Sequence, residues 1–130
     1  MSPIRLLPWV LHEAIEYVAG VFVILAPFLF SFQQEPAAFP VFIGVGVLIL
    51  VVAILSKGPA GVLGLLPHPL HAGLDYVLAF FLLLAPLIFG FDQTALTISI
   101  LLGLAHLIIT LITRFPPADT ADTHTEAETL

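Results

Sequence analysis

Four uninterrupted apolar runs, at residues 18–32, 37–56, 77–91 and 94–113, fill most of this 130-residue chain and contain almost no charge. The second and fourth are about 20 residues long, which at 1.5 Å per residue spans a hydrocarbon core of about 30 Å. The first and third reach that length when extended back over residues 12–17 and 71–76. Strands are the competing reading, because Val, Ile and Phe are abundant. A membrane barrel needs segments of about 10 residues that alternate in polarity, whereas these runs are apolar on every face. The runs therefore predict an all-α polytopic membrane protein, with four transmembrane helices near 11–32, 37–56, 69–91 and 95–114.

Composition agrees. The chain is 60% hydrophobic and 9% charged, against roughly 25% charged in soluble domains, so it lacks the residues for a polar surface. The absence of cysteine excludes disulfides, thiolate metal sites and cysteine nucleophiles. The net charge of −6 is concentrated in the tail, where Asp119, Asp122, Glu126 and Glu128 lie. No basic patch or stripe marks a nucleic-acid surface. Pro8, Glu13 and Glu16 interrupt any signal-peptide core, and no small-x-small cleavage site follows, so the first span is expected to stay in the mature protein.

The chain repeats itself. Leu7-Pro8-x-x-Leu11-His12-x-x-Ile15-Glu16-Tyr17-Val18 returns as Leu66-Pro67-x-x-Leu70-His71-x-x-Leu74-Asp75-Tyr76-Val77. Over residues 7–33 against 66–92, 12 of 27 positions are identical. The second helices align at a shift of 57 instead of 59, matching Gly46 with Gly103, Lys57 with Arg114 and Pro59 with Pro116. The two-residue difference falls in a hairpin loop, where length changes are tolerated. Each copy holds two spans, so both must point the same way, as two parallel tandem helical hairpins about an axis along the membrane normal. The expected organisation is an N-terminal segment 1–10, repeat 1 at 11–56, an interfacial linker at 57–68, repeat 2 at 69–114 and a disordered acidic tail at 115–130. Arg5, Lys57 and Arg114 fall on one side of the four spans, which places both termini in the cytoplasm by the positive-inside rule.

Late in each first helix stand Leu25-Ala26-Pro27-Phe28-Leu29-Phe30-Ser31-Phe32 and Leu84-Ala85-Pro86-Leu87-Ile88-Phe89-Gly90-Phe91. With the His-x-x-x-acid-Tyr opening, this unit resembles the SPW-repeat membrane proteins of bacteria over about residues 10–114. Ala26 and Ala85 replace the Ser of that motif, and Phe28 and Leu87 replace its Trp. The resemblance implies a pair of transmembrane helices per repeat in a bacterial inner membrane, and implies no activity. Physically, Pro27 and Pro86 each remove an amide donor and free the carbonyl four residues earlier, on Val23 and Leu82, so each helix is expected to bend or loosen there. Gly90 suits a left-handed helix end, and Ser31 suits it less well. Gly46 and Gly103 are expected at helix contacts, since small residues let backbones approach where lipid gives no hydrophobic drive.

Few side chains could carry chemistry. His12/Glu16 and His71/Asp75 are spaced i, i+4, so each pair shares a helix face. Three readings compete. In the first, both pairs face each other and supply four ligands to Zn or Fe. In the second, they form a proton or ion path. In the third, which the sequence favours, Lys57 and Arg114 snorkel to the carboxylates as a structural lock, while Tyr17 and Tyr76 anchor the interface. No metal or cofactor is assigned at this stage. His106 has no repeat partner, because Ile49 stands at its equivalent position. It is expected to bond a carbonyl or Thr110 inside the apolar core. No nucleophile–base constellation or phosphate loop is present, so the chain is read as non-catalytic. The function expected is a structural or accessory membrane module that contacts lipid and associates with itself or with other membrane proteins. A small transporter or a metal- or proton-handling protein is the alternative.

Overall fold

The protein's computed structural model describes residues 5–117. Four α-helices make up the fold, and no named strand occurs among the described residues: α1 (Trp9–Leu29), α2 (Ala38–Leu55), α3 (His68–Phe89) and α4 (Gln93–Ile112). All four are long and apolar enough to cross a membrane. Each lies within a few residues of its expected position. The acidic residues of the expected disordered tail lie outside the described residues.

The helix ends follow local chemistry. Pro8 and Pro67 are extended N-caps with φ near −60°, where a residue lacking an amide hydrogen costs nothing. Glu35 accepts from the Ala37 and Ala38 amides, and Asp92 from that of Ala95. These acids, in the two hairpin loops, satisfy the first free amides of α2 and α4. The first helix of each hairpin closes alike: Phe32 N–H donates to the Pro27 carbonyl and Phe91 N–H to that of Pro86, with Ser31 at φ 59° and Gly90 at φ 66°. A left-handed residue costs serine its Cβ clash, which glycine avoids. Ser31→Gly should therefore stabilise the protein by about 0.5–1 kcal/mol, read as a higher midpoint of thermal unfolding in detergent.

Packing is closest within hairpins, α1 on α2 and α3 on α4, with lighter contacts between α2 and α3 and between α1 and α4. The core, made of Val23, Ala26, Phe42, Val45, Ile49, Leu82, Ala85 and their neighbours, runs between the hairpins. Leu, Val, Ile and Phe side chains on the outer faces are exposed, as befits surfaces that meet lipid tails. Two reciprocal bridges tie the hairpin ends. Leu7 N–H donates to the Ile112 carbonyl at 2.8 Å, and Leu66 N–H to that of Leu55 at 2.9 Å; the 59- and 57-residue shifts relate one bond to the other. The linker after α2 is held down as well: Val62 and Leu63 amides donate to the Ile54 carbonyl, and the Tyr17 hydroxyl donates to that of Ala60 at 2.8 Å.

Both prolines sit inside their helices, which run on past them to Leu29 and Phe89. The carbonyl that Pro86 frees is answered directly: Ser99 Oγ donates to the Leu82 oxygen at 2.6 Å, fully buried. In the other hairpin Phe42 occupies the place equivalent to Ser99, so only one copy has this device. Ser99→Ala leaves that carbonyl without its donor in hydrocarbon and should destabilise the protein by about 1–3 kcal/mol. Phe42, by contrast, is core.

Candidate functional site

Among the described residues, the only sizeable group of ionisable side chains inside the bundle lies where α1 and α3 face each other. His12 and Glu16 project from α1, and His71 and Asp75 from α3; all four are 3% exposed or less. Their i, i+4 spacing presents each pair inward as one unit, and the two units interlock. His12 Nε2 lies 3.0 Å from Asp75 Oδ2 and 3.5 Å from Glu16 Oε1, while His71 Nε2 lies 3.0 Å from Glu16 Oε1 and 3.5 Å from Asp75 Oδ2. The shorter contact of each histidine is thus with the carboxylate of the other repeat. Nitrogen and oxygen alternate around a closed ring, and one donor atom from each residue lies within 4.8 Å of the other three.

Neither basic residue of the expected lock takes part. Lys57 is exposed and forms no ion pair among the described residues. Arg114 turns away, its Nε donating to the Arg5 carbonyl at 2.9 Å, while Arg5 donates to the Thr113 carbonyl at 3.1 Å. The reason is depth. The carboxylates lie seven residues inside their helices, about 10 Å from the helix start at 1.5 Å per residue, while Lys57 and Arg114 lie beyond the ends of α2 and α4. Tyr17 ties the linker down, and Tyr76 is half-buried at the matching place on α3.

Several members of the site were missed. Thr113, fully buried, has its hydroxyl 2.5 Å from the Ile109 carbonyl and 2.7 Å from His12 Nδ1. The hydroxyl hydrogen goes to the carbonyl, so Nδ1–H of His12 donates to Thr113 Oγ1. Ser56, its repeat equivalent, instead donates to Glu13 Oε1 at 2.8 Å, and Ala60 N–H donates to Glu13 Oε2 at 3.1 Å. Glu13 therefore keeps the fully buried carboxylate hydrogen-bonded without a cation. Ala72 stands at its repeat equivalent, so the repeat gave no hint of it. The paired hydroxyls of Ser56 and Thr113 were visible in the alignment and could have been found. Trp9 stacks on the His12 ring at 5.2 Å and 15°, meets His71 edge-on at 4.8 Å, and with Phe115 closes the histidines off toward the helix ends.

His106, expected to stand alone with a carbonyl or Thr110, joins the edge of the cluster. Its Nε2 is 3.7 Å from Asp75 Oδ1, with the side chain 9% exposed. Thr110 bonds the His106 backbone carbonyl, not the ring. A cavity of about 60 Å³ opens beside it, with His12, Glu16 and His106 at its polar end and Ile15, Ile49 and Leu102 among its walls.

With this geometry in view, comparison with protein families finds the SPW repeat domain matching residues 8–113, most of the chain. This chain belongs to the SPW repeat family. The match takes in all four helices and both His-x-x-x-acid pairs of this SPW-repeat protein, and with the four apolar helices it establishes a membrane protein in contact with lipid. Comparisons with curated proteins and with solved structures return no match.

The Thr113 contact defines what the SPW-repeat cluster can do. With hydrogen on Nδ1, a neutral His12 presents a bare lone pair at Nε2 toward two carboxylates. That is repulsive unless Nε2 carries a second proton, a carboxyl carries one, or a metal ion lies between. A threonine oxygen on the outer nitrogen is also the kind of support that orients a metal-binding imidazole. Thr113→Val removes that support and should keep the fold while weakening any divalent metal held at Nε2 by about 10–100-fold, measured by competition with a chromogenic chelator.

Proposed function

We propose that this SPW-repeat protein is a non-catalytic membrane module whose two hairpins are clasped by one divalent transition-metal ion held by His12, Glu16, His71 and Asp75. The observation that carries the reading is the alternating ring of two Nε2 and two carboxylate oxygens turned to a common centre. Ligands at about 2.0–2.1 Å from a tetrahedral Zn²⁺ lie about 3.3–3.4 Å from each other. Four of the six donor separations, the nitrogen–oxygen ones at 3.0–3.5 Å, bracket that spacing, and all six fall within 4.8 Å. Charge agrees: two carboxylates, two neutral imidazoles and a dication sum to zero, as a buried site in a membrane requires. The ligand types suit Zn²⁺, Fe²⁺ or Mn²⁺.

A second reading has support in the same contacts. Both histidines could carry an extra proton, and the cluster would then be a neutral four-membered salt-bridge lock. One Nε2–H cannot point at two carboxylates on different helices, however, whereas a central ion binds all four donors at once. The metal reading is therefore preferred. It also extends the expected parallel arrangement of the hairpins, which the reciprocal Leu7–Ile112 and Leu66–Leu55 bonds support. Both termini are read as cytoplasmic in a bacterial inner membrane, from the placement of Arg5, Lys57 and Arg114.

Trp9 is the only tryptophan and stacks on a proposed ligand, so its fluorescence reports on the site. Chelator-stripped protein in mild detergent, titrated with Co²⁺, should show saturable quenching that ends at one ion per chain. Quenching without saturation, or none, would favour the protonated lock.

A further inference from the structure

Resting on the metal reading above, we infer that the metal is open toward α4: the cavity between α1 and α4 admits an exchangeable small oxygen- or nitrogen-donor ligand to the ion, and His106 holds that ligand by a hydrogen bond. The ring of four donors is symmetric between repeats, but its surroundings are not. His106 replaces the apolar residue that Ile49 supplies in the other hairpin, and both line the same cavity. Within the cavity, His106 is the one polar residue from α4 among apolar walls.

Two polar atoms mark that side. Asp75 gives Oδ2 to the ring and leaves Oδ1 fully buried without a hydrogen-bond partner; His106 Nε2 is also buried and unpartnered. Their 3.7 Å separation is too long for a direct hydrogen bond. A third polar atom set to one side of the pair could reach both. Buried polar atoms are rarely left unpaired, and among the described residues each of these two has only the other within ion-pair reach. A water bound to the ion from the cavity side would donate to Asp75 Oδ1 and reach His106, and a small anion replacing it would accept from His106 alone.

Size and wall chemistry set the ligand class. About 60 Å³ holds a water, which occupies roughly 30 Å³ in the liquid, or a small linear anion. Ile15, Ala19, Val23, Leu82 and Leu102 in the wall give larger or strongly hydrated anions no polar partner. Four protein donors fill a tetrahedral site, so a ligand from the cavity makes the ion five-coordinate, an expansion that zinc centres allow.

The test uses the full-length protein loaded with Co²⁺ in mild detergent, with azide as the probe ligand. Azide should shift the visible absorption of bound Co²⁺ in a saturable way. His106→Ile, which installs the residue type of the other repeat, should keep one Co²⁺ per chain and weaken the azide response about tenfold or more, the loss expected of one hydrogen bond to a charged ligand. His106→Gln, which retains a donor, should fall between the two. A Co²⁺ spectrum indifferent to azide, or a His106→Ile variant that responds like wild type, overturns the inference and leaves the metal reading standing. If wild type retains no Co²⁺, both fall.

Discussion

Glu16→Gln combined with Asp75→Asn should reduce bound metal from one ion per chain to about a tenth or less, because only two imidazole ligands remain of four. The consequence for stability has a definite order. Metal that binds only the folded protein stabilises it by RT ln(1 + [L]/Kd), about 4 kcal/mol at a thousandfold excess over Kd. Metal-loaded wild type should therefore melt highest, with a midpoint that rises with metal concentration. The double variant's midpoint should not respond to metal. It should nevertheless equal or exceed that of stripped wild type, since replacing two buried charges by neutral amides of similar shape removes a desolvation cost. A salt-bridge lock predicts the opposite order for the metal-free proteins, because there the carboxylates supply the clasp themselves. Thermal melts of the three species, each with measured metal content, decide between them.

The second large effect lies at the helix contacts. A Cβ added to Gly46 would stand 2.5 Å from Ile24 Cγ1 and 2.9 Å from both the Gly20 oxygen and the Ile24 nitrogen. Two of those three atoms are backbone and cannot move without separating α1 from α2. At Gly103 the added Cβ would meet the Leu83 side chain at 2.9–3.0 Å and the Ala79 carbonyl at 3.1 Å. Leu83 is flexible and can give way. The difference traces to sequence: Gly20 in the first hairpin is Ala79 in the second, so α1 and α2 approach where α3 and α4 already carry a methyl group. Gly46→Ala should therefore cost about 2–3 kcal/mol and Gly103→Ala about 1 kcal/mol or less, within the range of overpacking. Gly46→Leu should prevent recovery of folded protein. Equal losses at the two glycines would show that backbone approach does not set the hairpin geometry.

Much of this was legible from residues alone, and for identifiable reasons. Apolar runs of about 20 residues admit little besides membrane helices, so α1–α4 followed from the pattern, and the matching of Gly46 with Gly103 pointed to contacts that are buried. The inward pairing of His12 with Glu16 and of His71 with Asp75 followed from i, i+4 spacing. Their exchange of partners did not, since it depends on how α1 meets α3, which no local rule specifies. Depth was less legible, because an apolar run does not show where its helix begins: α1 and α3 begin at Trp9 and His68, well before the runs at 18–32 and 77–91. Measured from the helix ends, Asp75 is seven residues in and His106 six, so antiparallel neighbours bring them level. For the same reason Lys57 and Arg114 looked close enough to reach the carboxylates. Ser99 was passed over because a lone serine in an apolar helix gives no sign that a proline-freed carbonyl faces it.

The most direct measurement of the central claim is X-ray absorption at the zinc edge of the detergent-solubilised protein, loaded with Zn²⁺ and freed of excess ion. The four-donor clasp predicts one Zn²⁺ per chain and a first shell of nitrogen and oxygen near 2.0 Å, with outer-shell scattering from two imidazoles that His12→Ala and His71→Ala each halve. A Zn²⁺ signal unchanged by those substitutions, or no Zn²⁺ retained by wild type, would contradict it.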